Sequence, residues 1–206
     1  MAAKYLRKVL RHKRFVFTEA CKLGIPWLGF IHDSSKFTSM EFKAYSAYNF
    51  SGENSKEVET AFDVAWNSHQ KRNKHHWQAW LYVRRDSLVA TNEIEVCSHI
   101  IERETFGGRR PERISPGLIP IWRTEILVND SDGARCLRCG KKFPLDIFSA
   151  LPMPERYIYE MVADWRGAGL AYGNPNTVEW YENNKHNQVM HPETRERVEW
   201  LLGLTE

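Results

Sequence analysis

The chain is expected to fold as a mainly α-helical bundle around a metal site, with a small insertion that has its own organisation. Three observations carry this expectation. Apolar residues recur at helical spacing over residues 3–23, 56–82 and 154–167. That periodicity breaks over 87–150, where Gly107-Gly108, Ser115-Pro116-Gly117 and Asn129-Asp130-Ser131-Asp132-Gly133 supply loop and turn chemistry. Histidine and aspartate fall repeatedly on the faces that the apolar residues turn inward. Residues 1–86 and 151–206 are therefore assigned to the helical domain and 87–150 to the insertion.

The first helix follows from Tyr5, Val9, His12, Val16 and Ala20, which advance three or four positions at a time along one face. Gly24 and Pro26 end it. His12 points inward with the apolar residues, and Cys21 reads as a core cysteine. After Phe30-Ile31 come His32 and Asp33, then Lys36. Adjacent residues cannot share a helix face, so His32 and Asp33 reach one ion only from a helix end or a bend. Thr38 and Glu41 match a capping box opening a helix over 39–50, with Phe42, Tyr45, Tyr48 and Phe50 as core aromatics.

Over 56–82 the residues Phe62, Trp66, His69, Asn73, His76 and Trp80 step by four, three, four, three and four. His69 and His76 thus lie two turns apart on one face. His75 is the alternative to His76, and the seven-residue spacing favours His76. Ile121–Val128 reads as a strand. Pro154 opens a helix to 167, with Tyr157, Glu160, Met161, Asp164 and Trp165 on one face and Gly167-Ala168-Gly169 as its stop. Two carboxylates on a buried face need cations or donors to meet them. Further helices are expected over 177–183 and from His191 to Leu204.

Composition sets bounds on function. Over 206 residues, 29 basic and 26 acidic side chains give a net charge of +3, too balanced to indicate nucleic-acid binding by charge. No apolar run is long enough to span a bilayer, and the basic start of the chain lacks the apolar segment of a signal peptide. A cytoplasmic protein without membrane association is expected. Cys136 and Cys139, separated by two residues after an Asp-Gly turn, look like half of a structural zinc site in a zinc-ribbon-like insertion, with Cys97 and His99 as the candidate second pair.

The inward ligand candidates are His12, His32, Asp33, His69, His76 and Asp164. This order resembles the HD-domain superfamily of metal-dependent phosphohydrolases, in which helices surround one or two divalent ions. The resemblance implies an HD-domain-like helical bundle and makes Lys36 the phosphate contact. The segments "HDSSKF", "HQKRNKHHW" and "EMVADW", with the closing "HPETRERVEWLL", are similar to an uncharacterised family of small bacterial and bacteriophage proteins placed among domains of unknown function. That similarity covers most of 5–82 and 152–203 and implies the cytoplasm of a bacterial or phage-infected cell.

Imidazole and carboxylate donors suit Mn, Fe, Co, Ni or Zn and, with fewer nitrogens, Mg. The expected activity is hydrolysis of a nucleotide or another small phosphoester by a metal-activated water, with Asp33 placed to bridge two ions. Lys36 and Arg72 would neutralise phosphate, Asn73 would bond substrate or orient a histidine, and Glu160 would hold a ligand ring in one tautomer. The rivals are an HD-type di-iron oxygenase and a non-catalytic, metal-stabilised binding protein.

Overall fold

The computed structural model describes residues 1–84, 118–121, 124–129 and 133–205. The described chain is mainly helical. Helices α1 (Ala2–Lys22), α2 (Pro26–Ile31), α3 (Ser39–Phe50) and α4 (Lys56–Arg72) come first, and α5 (Glu155–Tyr172), α6 (Thr177–Asn184) and α7 (Pro192–Leu202) come last. Between them, among the described residues, lie six short strands: β1 (Leu81–Arg84), β2 (Leu118–Pro120), β3 (Ile126–Asn129), β4 (Gly133–Cys136), β5 (Lys142–Phe143) and β6 (Phe148–Ala150). They form two antiparallel sheets of order β2-β1-β6 and β3-β4-β5.

The periodicity placed α1 correctly, and its buried face is Tyr5, Val9, His12, Val16 and Ala20, joined by Glu19. Cys21 is exposed, contrary to its reading as a core residue, because one step beyond Ala20 turns the side chain about 100° off the buried face. Helix α5 runs on to Tyr172 through the glycines expected to stop it, and ends at Gly173 in the left-handed conformation. Gly167 serves contact rather than termination. A Cβ there would lie 2.6 Å from the Val16 backbone nitrogen and 2.8 Å from its Cα, so its absence lets α1 and α5 approach closely. Val16, Ala20 and Ala163 are fully buried in that seam.

A second correction concerns α4, which ends at Arg72 instead of continuing to 82. Asn73 takes an extended conformation, and both its backbone N–H and its side-chain amide donate to the His69 carbonyl, at 3.0 and 2.9 Å. Asparagine often offers the backbone such a local alternative to helix. Residues 77–80 then make one 3-10 turn and Leu81 enters β1. The strand expected over 121–128 is instead shorter and later: Ile121 follows β2 in a 3-10 turn, and β3 covers Ile126–Asn129.

The largest core cluster joins the sheets to the C-terminal helices: Leu81, Val83, Ile126, Val128, Phe143 and Phe148 pack with Ile158, Met161, Val162, Tyr181, Val198 and Leu202. Each fully buried aliphatic chain in it contributes roughly 1.5–3 kcal/mol. The sheet β3-β4-β5 is also tied to α4, where Gln70 donates to the Val128 carbonyl at 3.1 Å and Arg135 pairs with Asp63 at 2.6 Å. A separate cluster of Tyr5, Val9, Tyr45 and Ala65 joins α1, α3 and α4.

Candidate metal centre

His32 and Asp33 reach a common point through a bend. His32 follows the last residue of α2, and Asp33 has φ 54° and ψ 23°. It is the one described non-glycine residue with positive φ. Aspartate tolerates this region better than most residues, though such a conformation still costs on the order of 1–3 kcal/mol. The Lys36 N–H donates to the Asp33 carbonyl at 2.9 Å, and the Lys13 ammonium holds the carbonyls of Phe30 and His32. The bend turns both side chains inward, where His32 is 1% and Asp33 2% exposed.

The end of α4 supplies the next candidate ligands. His69 lies in its last turn and is fully buried. The break at Asn73 then brings His75 and His76 into the same interior, their ring centroids 4.2 Å apart. Helix α1 contributes His12, and α5 contributes Glu160 and Asp164 one turn apart.

Asp33 sits at the middle of this group. Its Oδ1 is 3.1 Å from Nε2 of His69 and 3.5 Å from Nε2 of His75, while its Oδ2 is 3.5 Å from Nε2 of His12 and 3.4 Å from Nε2 of His32. Asp164 Oδ1 lies 3.1 Å from Nε2 of His12 and 3.3 Å from Nε2 of His32, and its Oδ2 is 3.9 Å from Nε2 of His75. The Nε2 atoms of His12, His32, His69, His75 and His76 are buried, and none makes a hydrogen bond among the described residues. Buried polar atoms are rarely left unsatisfied, and five imidazole nitrogens converging on carboxylates fit a cation. Three overlapping sets of donor atoms are compact enough to share an ion: Asp33, His69, His75 and His76; His12, His32 and Asp33; and His32, His75 and Asp164. These buried histidines and aspartates can hold a metal ion.

The opposite ring nitrogens are held by carboxylates. Glu160 Oε1 is 3.1 Å from Nδ1 of both His32 and His75, and Glu41 Oε2 is 2.8 Å from Nδ1 of His69. Since an ionised carboxylate only accepts, each of these Nδ1 atoms can donate to its carboxylate, which leaves each Nε2 as the atom that would coordinate a bound ion. Ser35 Oγ also donates to Glu41 Oε2, at 2.9 Å.

The electrostatics fit a site built for cations. Burial works against the charged carboxylates, but His32 and Lys36 beside Asp33, and His32 and His12 beside Asp164, hold both acids well below the usual range. Burial likewise opposes the imidazolium of His32, yet Asp33 and Asp164 hold its pKa well above the ordinary value. His12 is raised in the same way, against burial, by the nearby carboxylates of Asp164 and Asp33. Burial and neighbouring histidines push His75 and His76 down. The Lys36 ammonium is bonded to Asp33 Oδ2, and although burial disfavours its charge, Asp33 and Asp164 raise its pKa.

All six ligands expected from the sequence, His12, His32, Asp33, His69, His76 and Asp164, come together here, as does the alternative His75. The choice between His75 and His76 rested on a continuous helix, and once that helix ends at Arg72 both rings face the site. Lys36 and Glu160 are also at the centre. Arg72 is half exposed and lies 3.6 Å from Glu41 Oε1. The Asn73 amide is engaged with Ser35 Oγ at 3.0 Å and with the His69 carbonyl. Sequence reasoning missed Glu41, assigning it to a capping box. Thr38 does occupy the cap position of α3, but its hydroxyl donates to the Ser35 carbonyl, and Glu41 turns to His69 instead. The available signal was its helical spacing to Tyr45, which placed the carboxylate on the buried face.

Cys136 closes β4 in the core and Cys139 lies exposed in the turn before β5, where Gly140 has φ 74°. The other two expected zinc ligands, Cys97 and His99, lie outside the described residues.

Fold and site together define a mainly helical protein with a buried histidine-aspartate centre able to hold metal. The chain belongs to a family of unknown function, DUF5662, whose model matches residues 1–104 and 144–204. No curated protein and no solved structure matches it. No helix among the described residues is long and apolar enough to cross a membrane.

Proposed function

We propose that the chain is an HD-type metal-dependent phosphohydrolase acting on a nucleotide or another small phosphoester. The observation that carries this reading is the division of donors about Asp33. His69 and His75 face one carboxylate oxygen while His12 and His32 face the other, with His76 and Asp164 completing the two sides. A carboxylate so placed suits a bridge between two ions. Bound divalent ions would polarise phosphoryl oxygens and make water a nucleophile at neutral pH. Glu160 and Glu41 fix the ring orientations of His32, His75 and His69. Lys36, held against Asp33, is placed to neutralise phosphoryl charge next to the centre, and Arg72 stands farther out as a second cation.

The donor set also suits iron, as an oxygenase of the same scaffold would need. Lys36 inside the site favours the phosphoester reading, since an ammonium has a direct part in binding a dianion. The test is a screen of nucleotides and generic phosphoesters with Mn, Co, Ni and Mg. Release of phosphate that requires added metal supports the reading. Failure of every ester with every ion, in protein shown to carry metal, contradicts it.

A further inference from the structure

One face of α1 carries Tyr5, Lys8 and His12 at helical spacing, so it leads from half-buried Lys8 to the metal centre. Tyr5 stacks on Tyr45 of α3 with ring centroids 6.1 Å apart and 19° between planes. Both rings are buried, at 3% and 7% exposure, and neither phenol oxygen has a hydrogen-bond partner among the described residues. A buried tyrosine hydroxyl usually finds a partner, and leaving one unsatisfied costs about 1–3 kcal/mol. Two buried, unpartnered hydroxyls on stacked rings point to a ligand.

Their surroundings say what kind. The Lys36 ammonium lies 6.0 Å from the Tyr45 ring centre, and besides burial the charges of Lys36, Asp33 and Glu41 act on both phenols. Lys8 donates to Asn49 Oδ1 and lies 5.2 Å from the ring centre of Tyr172, which itself stacks on His12. Among the described residues no carboxylate pairs with Lys8. Burial, and then the repulsion of Lys36, lower the Lys8 pKa. Two hydroxyl donors and two ammonium groups match an acceptor-rich, anionic group.

We propose that Tyr5, Tyr45 and Lys8 form, with Lys36, an oxyanion subsite beside the metal centre that takes the phosphoryl oxygens turned away from the histidines. This rests on the phosphohydrolase reading for the identity of the anion. The test is calorimetric titration of the metal-loaded chain with inorganic phosphate, using wild type, Tyr5→Phe, Tyr45→Phe and Lys8→Gln. Metal content and thermal melting are measured on the same samples. The phenylalanine variants keep the ring packing, so they should fold.

Each substitution is expected to weaken phosphate binding about ten- to 150-fold, the loss of one hydrogen bond to a charged group, with metal content unchanged. For a hydrolysed ester, KM should rise more than kcat falls. Wild type that binds no phosphate, or variants that bind within about twofold of wild type, would overturn the proposal. So would variants that lose metal together with phosphate, because the phenols would then act on the centre itself. Phosphate binding that weakens as expected in a protein that hydrolyses no ester contradicts the hydrolase reading and leaves the subsite standing. Hydrolysis with undiminished phosphate binding in the variants does the reverse.

Discussion

Glu160→Gln isolates what the outer carboxylate does for the metal centre. One oxygen, Oε1, faces Nδ1 of both His32 and His75 at 3.1 Å. Glutamine keeps the length of the side chain and a neutral acceptor, so the change removes charge while leaving the packing in place. A hydrogen bond to a charged group contributes about 1.5–3 kcal/mol and a neutral one about 0.5–1.5, so each bond weakens by about 1–1.5 kcal/mol. Two bonds lose about 2–3 kcal/mol together, and every 1.4 kcal/mol is about tenfold in affinity. Metal affinity should therefore fall roughly 30- to 100-fold, within the range typical for lost outer partners of metal-bound histidine. The assay is competition for the metal against a chromophoric chelator, with a melting curve to confirm the fold. Affinity within about twofold of wild type would refute the argument that Glu160 supports these two rings as metal ligands.

Other perturbations test other links. Glu41→Gln should lower metal affinity less than Glu160→Gln, since it touches one ring and not two, and the same competition assay ranks them. Gly167→Ala should destabilise the protein by about 1–3 kcal/mol in urea unfolding, because the new methyl meets the Val16 backbone; an unchanged midpoint would contradict the close α1–α5 approach. Metal uptake should release protons, because Asp33 and Asp164 keep His32 and His12 protonated above the ordinary value of 6.5 while bound metal needs them neutral. With pKa values raised in this way, affinity should keep climbing as pH rises past 6.5, and a flat profile from there into the alkaline range would count against the assignment. Chelation should lower the melting temperature, since an ion at 100 times its Kd stabilises the folded state by about 2.7 kcal/mol.

Helices with a one-sided apolar face were legible in the sequence, as α1 illustrates, because burial of that face imposes the period. The order of candidate ligands was legible for the same reason: His12, His69 and Asp164 sit where the periodicity points inward, as does the supporting Glu160. What failed was decided by single contacts. Asn73 ends α4 by bonding to the His69 carbonyl, which brings in His75 beside His76, and no periodicity shows that. Gly167 reads as a helix stop until Val16 is seen against it. Glu41 sits where a capping box would have it, and only the position of His69 reveals its other use. The left-handed bend at Asp33 was foreseen in outline, since adjacent ligands require a turn, but not its conformation.

The most direct measurement is elemental analysis of purified wild type and Asp33→Ala after incubation with Mn, Co, Ni or Zn and removal of excess ion. Asp33 lies between the two groups of histidines, so its loss should strip metal from both sides while melting shows a folded protein. Wild type that holds one or two ions per chain, and a variant that holds neither at the histidine centre, is the predicted result. Wild type without metal at these residues, or Asp33→Ala with its metal undiminished, would contradict the account.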